Sequence, residues 1–103
     1  MRIIARHEAN LQNRLDQVAD LGFVHITKNE LLLWYDAQRV GVNIWRDIHG
    51  KWVDLVQSID KHLTAEEKGS PLFCAETEGG FTFIWGQGLS AKASWFVDLK
   101  DWT

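Results

Sequence analysis

A chain of 103 residues, 46% hydrophobic and 24% charged, suits one folded domain and excludes an intrinsically disordered protein. A formal net charge of −3 supplies no long-range pull toward nucleic acid or anionic lipid. The single cysteine, Cys74, excludes an intramolecular disulfide and a thiolate zinc site; with a start that does not read as a secretory leader and no bilayer-length apolar run, it points to a reducing, cytoplasmic setting.

The first element in chain order is a helix from about residue 5 to Leu21, with Ile4, Leu11, Leu15 and Val18 on one stripe and Glu8, Asn13, Arg14 and Asp20 off it. Gly22 is placed to close it in the left-handed conformation. Phe23 to Ile26 then reads as a short extended segment or a link. Thr27 opens a second helix with a capping box. Its hydroxyl can accept from the Glu30 N–H while the Glu30 carboxylate reaches back to the Thr27 N–H, and Ile26 and Leu31 sit at staple positions. This helix is expected to run to Val40, to be the most buried of the set, and to end at Gly41.

Asn43 is expected to cap a third helix, with Asp47 in its first turn. Its buried stripe would be Ile44, Ile48, Trp52, Leu55, Ile59 and Leu63. Gly50 inside it costs about 1 kcal/mol relative to alanine and permits a bend or a close neighbour. Thr64 to Glu67 repeats the capping-box pattern.

After Gly69 to Pro71 the period changes from helical to alternating. "LFCAET" and "FTFIW" flank Glu78-Gly79-Gly80 and predict a hairpin, with Phe81, Phe83 and Trp85 on one face. A further strand would hold Trp95, Val97 and Leu99 on one face and Ser94, Phe96 and Asp98 on the other. The expected fold is α+β: three helices followed by a three-stranded antiparallel β-meander packed on them. It forms a single globular domain over 1–103, helical over residues 1–68 and β over residues 71–100.

The order helix, turn, helix, hairpin resembles that of a winged-helix DNA-binding domain, with "FVHI" in the place of its first strand. The likeness is one of topology, which many small folds share. Three residue-level points argue against DNA. The helix from Thr27 to Val40 is long for such a motif. The third helix mixes Arg46, His49, Lys51 and Lys61 with Asp47, Asp54 and Asp60. The hairpin tip "ETEGG" is acidic. Nucleic acid is therefore not the expected partner.

No catalytic constellation stands out. His7, His25, His49 and His62 form no i,i+3 or i,i+4 pair, no metal motif exists, and no cofactor is implied. Cys74 lies at an apolar strand position, where an inert buried thiol is the usual finding. The glycines of "GGFTFIWGQG" match no phosphate-binding pattern.

Six tryptophans are the compositional oddity. Trp34, Trp52 and Trp85 lie on apolar stripes and read as core. Trp45, Trp95 and Trp102 read as the candidate interaction surface, because tryptophan buries much area at interface hot spots and a ring at a chain end needs something to dock on. Glu76, Glu78, Asp98 and Asp101 would complement a basic partner beside them. The function expected is a small cytoplasmic protein-binding module acting non-covalently, of the inhibitor, immunity or antitoxin kind that phages and mobile elements encode, binding another protein, itself as a homodimer, or both. The alternatives are a winged-helix-like nucleic-acid regulator and a small-ligand binder with an aromatic-lined cleft.

Overall fold

The computed structural model describes residues 3–59, 71–85 and 97–103. Helix α1 spans Ala5–Leu21 and buries Leu11, Leu15 and Val18. Gly22 closes it at φ 93°, its N–H donating to the Val18 carbonyl. Ile4 does not belong to the buried stripe. It is the N-cap residue with extended backbone, outside the helical register, and its side chain is 52% exposed.

Strand β1, Phe23–Thr27, resolves the extended segment, and the capping box that follows it forms with both reciprocal bonds. Helix α2 is nevertheless only Lys28–Trp34, half the expected length. Asp36 adopts φ 49°, a left-handed backbone that ends a helix and that aspartate tolerates better than most residues. Leu31 and Trp34 are buried while Leu33 is 62% exposed, so α2 is buried on one side only.

Arg14, which lies off the apolar stripe of α1, ties three elements together. Its guanidinium pairs with Glu30 of α2, donates to the His25 carbonyl of β1, and lies 5.7 Å from the Trp34 ring centre.

Helix α3, Val42–Ser58, is capped by Gly41, not by Asn43. The Gly41 carbonyl accepts from the Ile44 and Trp45 N–H groups, and Gly41 thus begins α3 instead of ending α2. Asp47 lies beyond the first turn and accepts a 2.6 Å hydrogen bond from the Tyr35 hydroxyl. Ile44, Trp45, Ile48 and Trp52 are buried; Leu55 and Ile59 are partly so. Leu63 and the Thr64–Glu67 pattern lie outside the described residues.

Strands β2, Leu72–Thr77, and β3, Gly80–Trp85, form the hairpin around a turn of Glu78 and Gly79, the latter at φ 72°. The sheet is antiparallel with four strands in the order β1-β3-β2-β4, not a three-stranded meander. β1 occupies one edge of β3, from Phe23 opposite Ile84 to Thr27 opposite Gly80. That leaves the last strand only the free edge of β2, where Val97 and Asp98 of β4 pair with Cys74 and Phe73. The α+β class holds. A strand nonetheless sits inside the segment read as helical, and the final strand, described from Val97, ends at Asp98. Leu99 therefore belongs to a 3₁₀ turn, Leu99–Trp102, where it is fully buried. Ser94, Trp95 and Phe96 lie outside the described residues.

Alternation along the strands aims Val24, Ile26, Phe81, Phe83, Leu72 and Cys74 at the helices, and these join the buried residues of α1, α2 and α3 in one core. Each fully buried large side chain, Phe83 for example, contributes about 1.5–3 kcal/mol. The insertion of β1 between α1 and α2 places it beside β3, giving the order β1-β3-β2 next to the helices. No helix among the described residues is long and apolar enough to cross a membrane.

Candidate functional site

Three elements bring an aromatic cluster to the surface. Gly41 starts α3, so Trp45 falls in its opening turns, on the stripe that meets the sheet. The register of β2 and β3 sets Glu76 directly opposite Phe81. β4 then delivers the terminal 3₁₀ turn to the edge of the same sheet, burying Leu99 and laying Trp102 over both rings. The Trp45 and Phe81 centroids are 4.7 Å apart at 76°, Trp45 and Trp102 5.0 Å apart at 55°, and Phe81 and Trp102 6.1 Å apart at 80°. These are edge-to-face and tilted contacts of the kind that add about 0.5–1.5 kcal/mol each beyond area burial.

Val40, Trp45, Glu76, Phe81 and Trp102 line an open depression of about 330 Å³. Trp45 and Phe81 are largely buried, 8% and 6% exposed, and Trp102 is half-buried, so the rings form a floor. Glu76 shares the helix-facing side of β2 with Leu72 and Cys74, but lies beyond the core at the strand's end and is exposed. Two of the three tryptophans read from sequence as an interaction surface therefore meet, and one of the four acids meets them. Glu78 is exposed in the hairpin turn and Asp101 is exposed beside Trp102. Asp98 is occupied locally, its carboxylate accepting the Lys100 N–H at 3.0 Å. Trp95 lies outside the described residues. Sequence reasoning assigned Phe81 to the core and passed over Val40; the pairing of Glu76 with Phe81 follows from the hairpin only once the turn is placed at Glu78-Gly79.

Trp34 and Trp52 are core residues, and Trp85 packs against the core with its ring 5.2 Å from that of Trp52. A second depression, about 440 Å³, is lined by Ile3, Tyr35, Asn43, Arg46 and Asp47. Tyr35 and Asp47 of its polar wall are engaged internally. Asp47 accepts from Tyr35 and from Lys51, and Lys51 also approaches Glu8 at 3.5 Å. Burial, followed by the hydrogen bond to Asp47, drives the Tyr35 hydroxyl well above its ordinary pKa, so it stays a donor.

Burial likewise pushes the Cys74 thiol far up, as befits an inert core residue. His25 is exposed on the outer sheet face, its Nδ1 3.1 Å from the Thr77 hydroxyl and 3.3 Å from that of Thr82. His7 and His49 are partly exposed, and His62 lies outside the described residues. Among the described residues no group of three or more His, Cys, Asp or Glu side chains is placed to hold a metal.

Searches against protein-family models, curated proteins and solved structures return no match to this chain.

Proposed function

We propose that the chain is a protein-binding module that acts by non-covalent contact through the depression floored by Trp45, Phe81 and Trp102. The observation that carries this reading is the docking of Trp102 onto two core rings so that an aromatic floor stays open beside Glu76. A tryptophan needed only for packing can be enclosed, whereas this one is half-buried at a concave surface, the setting of interface anchors. The exposed acids Glu76, Glu78 and Asp101 favour a basic partner surface and a binding rate that rises as salt falls.

Inhibitor, immunity or antitoxin action in the cytoplasm, by occluding a partner's working surface, is the form this would take. Self-association belongs to the same reading. β1 is an outer strand with Phe23 59% exposed beside Leu21 at 69%, an apolar pair that a second copy would cover.

The test is capture from host lysate by the tagged chain, with and without nuclease, for wild type and Glu76→Arg. A stoichiometric protein that survives nuclease and is lost with Glu76→Arg is expected. Capture only of nuclease-sensitive material would overturn the reading. For the dimer, light scattering at tens of micromolar is expected to give twice the 11.9 kDa chain mass, and a monomer mass ends that aspect of the proposal.

A nucleic-acid regulator is the second reading, and the strand order β1-β3-β2 beside a helix pair favours it. The shortness of α2 removes one argument against it, since the helix spans Lys28–Trp34 and not Thr27 to Val40. Two observations weigh against it. The turn Glu78-Gly79 does not project as a wing, because Thr27 pairs with Gly80 and the Lys28 N–H donates to the Gly79 carbonyl at 3.0 Å. The solvent-facing side of α3 carries Asn43, Arg46, Asp54 and Gln57, without a basic stripe.

A further inference from the structure

We propose that the depression is a socket for one basic side chain, lysine or arginine, projected by the partner protein. The inference rests on the protein-binding reading and names its anchor. The ring centroids of Trp45, Phe81 and Trp102 lie 4.7–6.1 Å apart, too close for a cation to enter between any two. Trp102, the most exposed of the three rings, offers the aromatic surface over which a cation can sit within roughly 6 Å, on the open side of the floor.

Glu76 is the charged group of the lining, and its place opposite Phe81 sets a carboxylate at the edge of that seat, able to accept the cation's N–H donors. Val40 supplies an apolar wall for the methylene stem, which long basic side chains bury readily. At about 330 Å³ the depression is at the small end of ligand sites, the size for one long side chain rather than a docked helix. An anion would meet Glu76 as a like charge, and an uncharged apolar group would desolvate that carboxylate without pairing it.

The experiment is an NMR titration of the full chain, following the Trp45 and Trp102 indole N–H signals. The probes are N-acetyl-arginine amide and N-acetyl-lysine amide, with N-acetyl-norleucine amide as the apolar control. Saturable shifts with the basic probes, little response to norleucine, and a roughly tenfold loss of affinity in Glu76→Gln are expected. Equal response to norleucine, or no saturable shift with any probe, overturns the socket. Failure of the underlying reading shows separately: lysate partners held equally by wild type and Glu76→Gln reject the socket alone, and absence of any nuclease-resistant partner rejects protein binding itself.

Discussion

Gly80 and Gly50 both sit inside regular structure, yet their surroundings are opposite. A Cβ on Gly80 would collide with the Ile26 carbonyl oxygen and come within 2.7 Å of the Thr27 Cα, so the backbones of β1 and β3 would have to separate. Gly80→Ala should therefore lower unfolding free energy by about 2 kcal/mol or more, measured as a drop in urea midpoint at constant slope. Gly50 has nothing within 4 Å of a built Cβ and lies on the solvent side of α3. Gly50→Ala should raise stability by about 1 kcal/mol in the same assay, because a mid-helix glycine costs that much entropy.

Sequence reading placed both glycines but misjudged Gly80. In "ETEGG" either glycine can serve a turn, and only the register with β1 shows that Gly79 turns while Gly80 yields space. Trp45 is a comparable case at the site. Its neighbours Ile44 and Ile48 mark a stripe plainly, but that the ring would be 8% exposed and still line a depression depends on Trp102 arriving from the far end of the chain.

The second helix shows how local chemistry and element length separate. Its start was legible because a capping box is written in adjacent residues, Thr27 and Glu30. Its end was not, because "LLLWYDAQRV" carries neither proline nor glycine before Gly41, and the stop at Asp36 is a left-handed residue that tertiary packing selects. β1 escaped a firm assignment for a similar reason: five residues pair as a strand only because β3 offers an open edge.

The capping box also sets an acid-side stability term. Burial raises the pKa of Glu30, but the Thr27 N–H, the Arg14 guanidinium and the Thr27 hydroxyl outweigh it and hold the carboxyl below its ordinary value. A depressed native pKa means that the unfolded chain binds the proton first. The stabilisation is thus complete above the unfolded carboxyl pKa, about 4.3, and is lost as pH falls through the lower native value. Glu30→Gln should flatten the fall in urea midpoint between neutral and acid pH, and Thr27→Ala should cost about 1 kcal/mol at neutral pH. An unchanged acid-side slope in Glu30→Gln would show that the carboxylate does not carry the term.

For the whole molecule, topology and charge distribution point to different partners, and the two predict different salt dependences of binding. A duplex-reading domain that neutralises many phosphates weakens with salt in proportion to their number, with slope about −0.9 per phosphate. Among the described residues, the exposed cations on the α2–α3 side are Lys28, Arg39 and Arg46, set against exposed Asp36 and Asp54. Lys51 is already taken up by Asp47 and Glu8. Two or three partly compensated contacts on a chain of net charge −3 support binding only in the non-specific range of roughly 10⁻⁴–10⁻⁶ M or weaker. Anisotropy with a labelled duplex is therefore expected to show weak binding, indifferent to sequence and with a shallow salt slope. Arg46→Ala should change it little. Nanomolar binding that falls steeply with salt and is cut by Arg46→Ala would mean that the strand order had been the better guide, and that the tucked turn at Glu78-Gly79 opens on the duplex. The same measurement bears on the aromatic site, because an anion-binding face at Arg46 and a cation-seeking depression at Trp45 would then lie on one helix. The chain's mild acidity favours the depression.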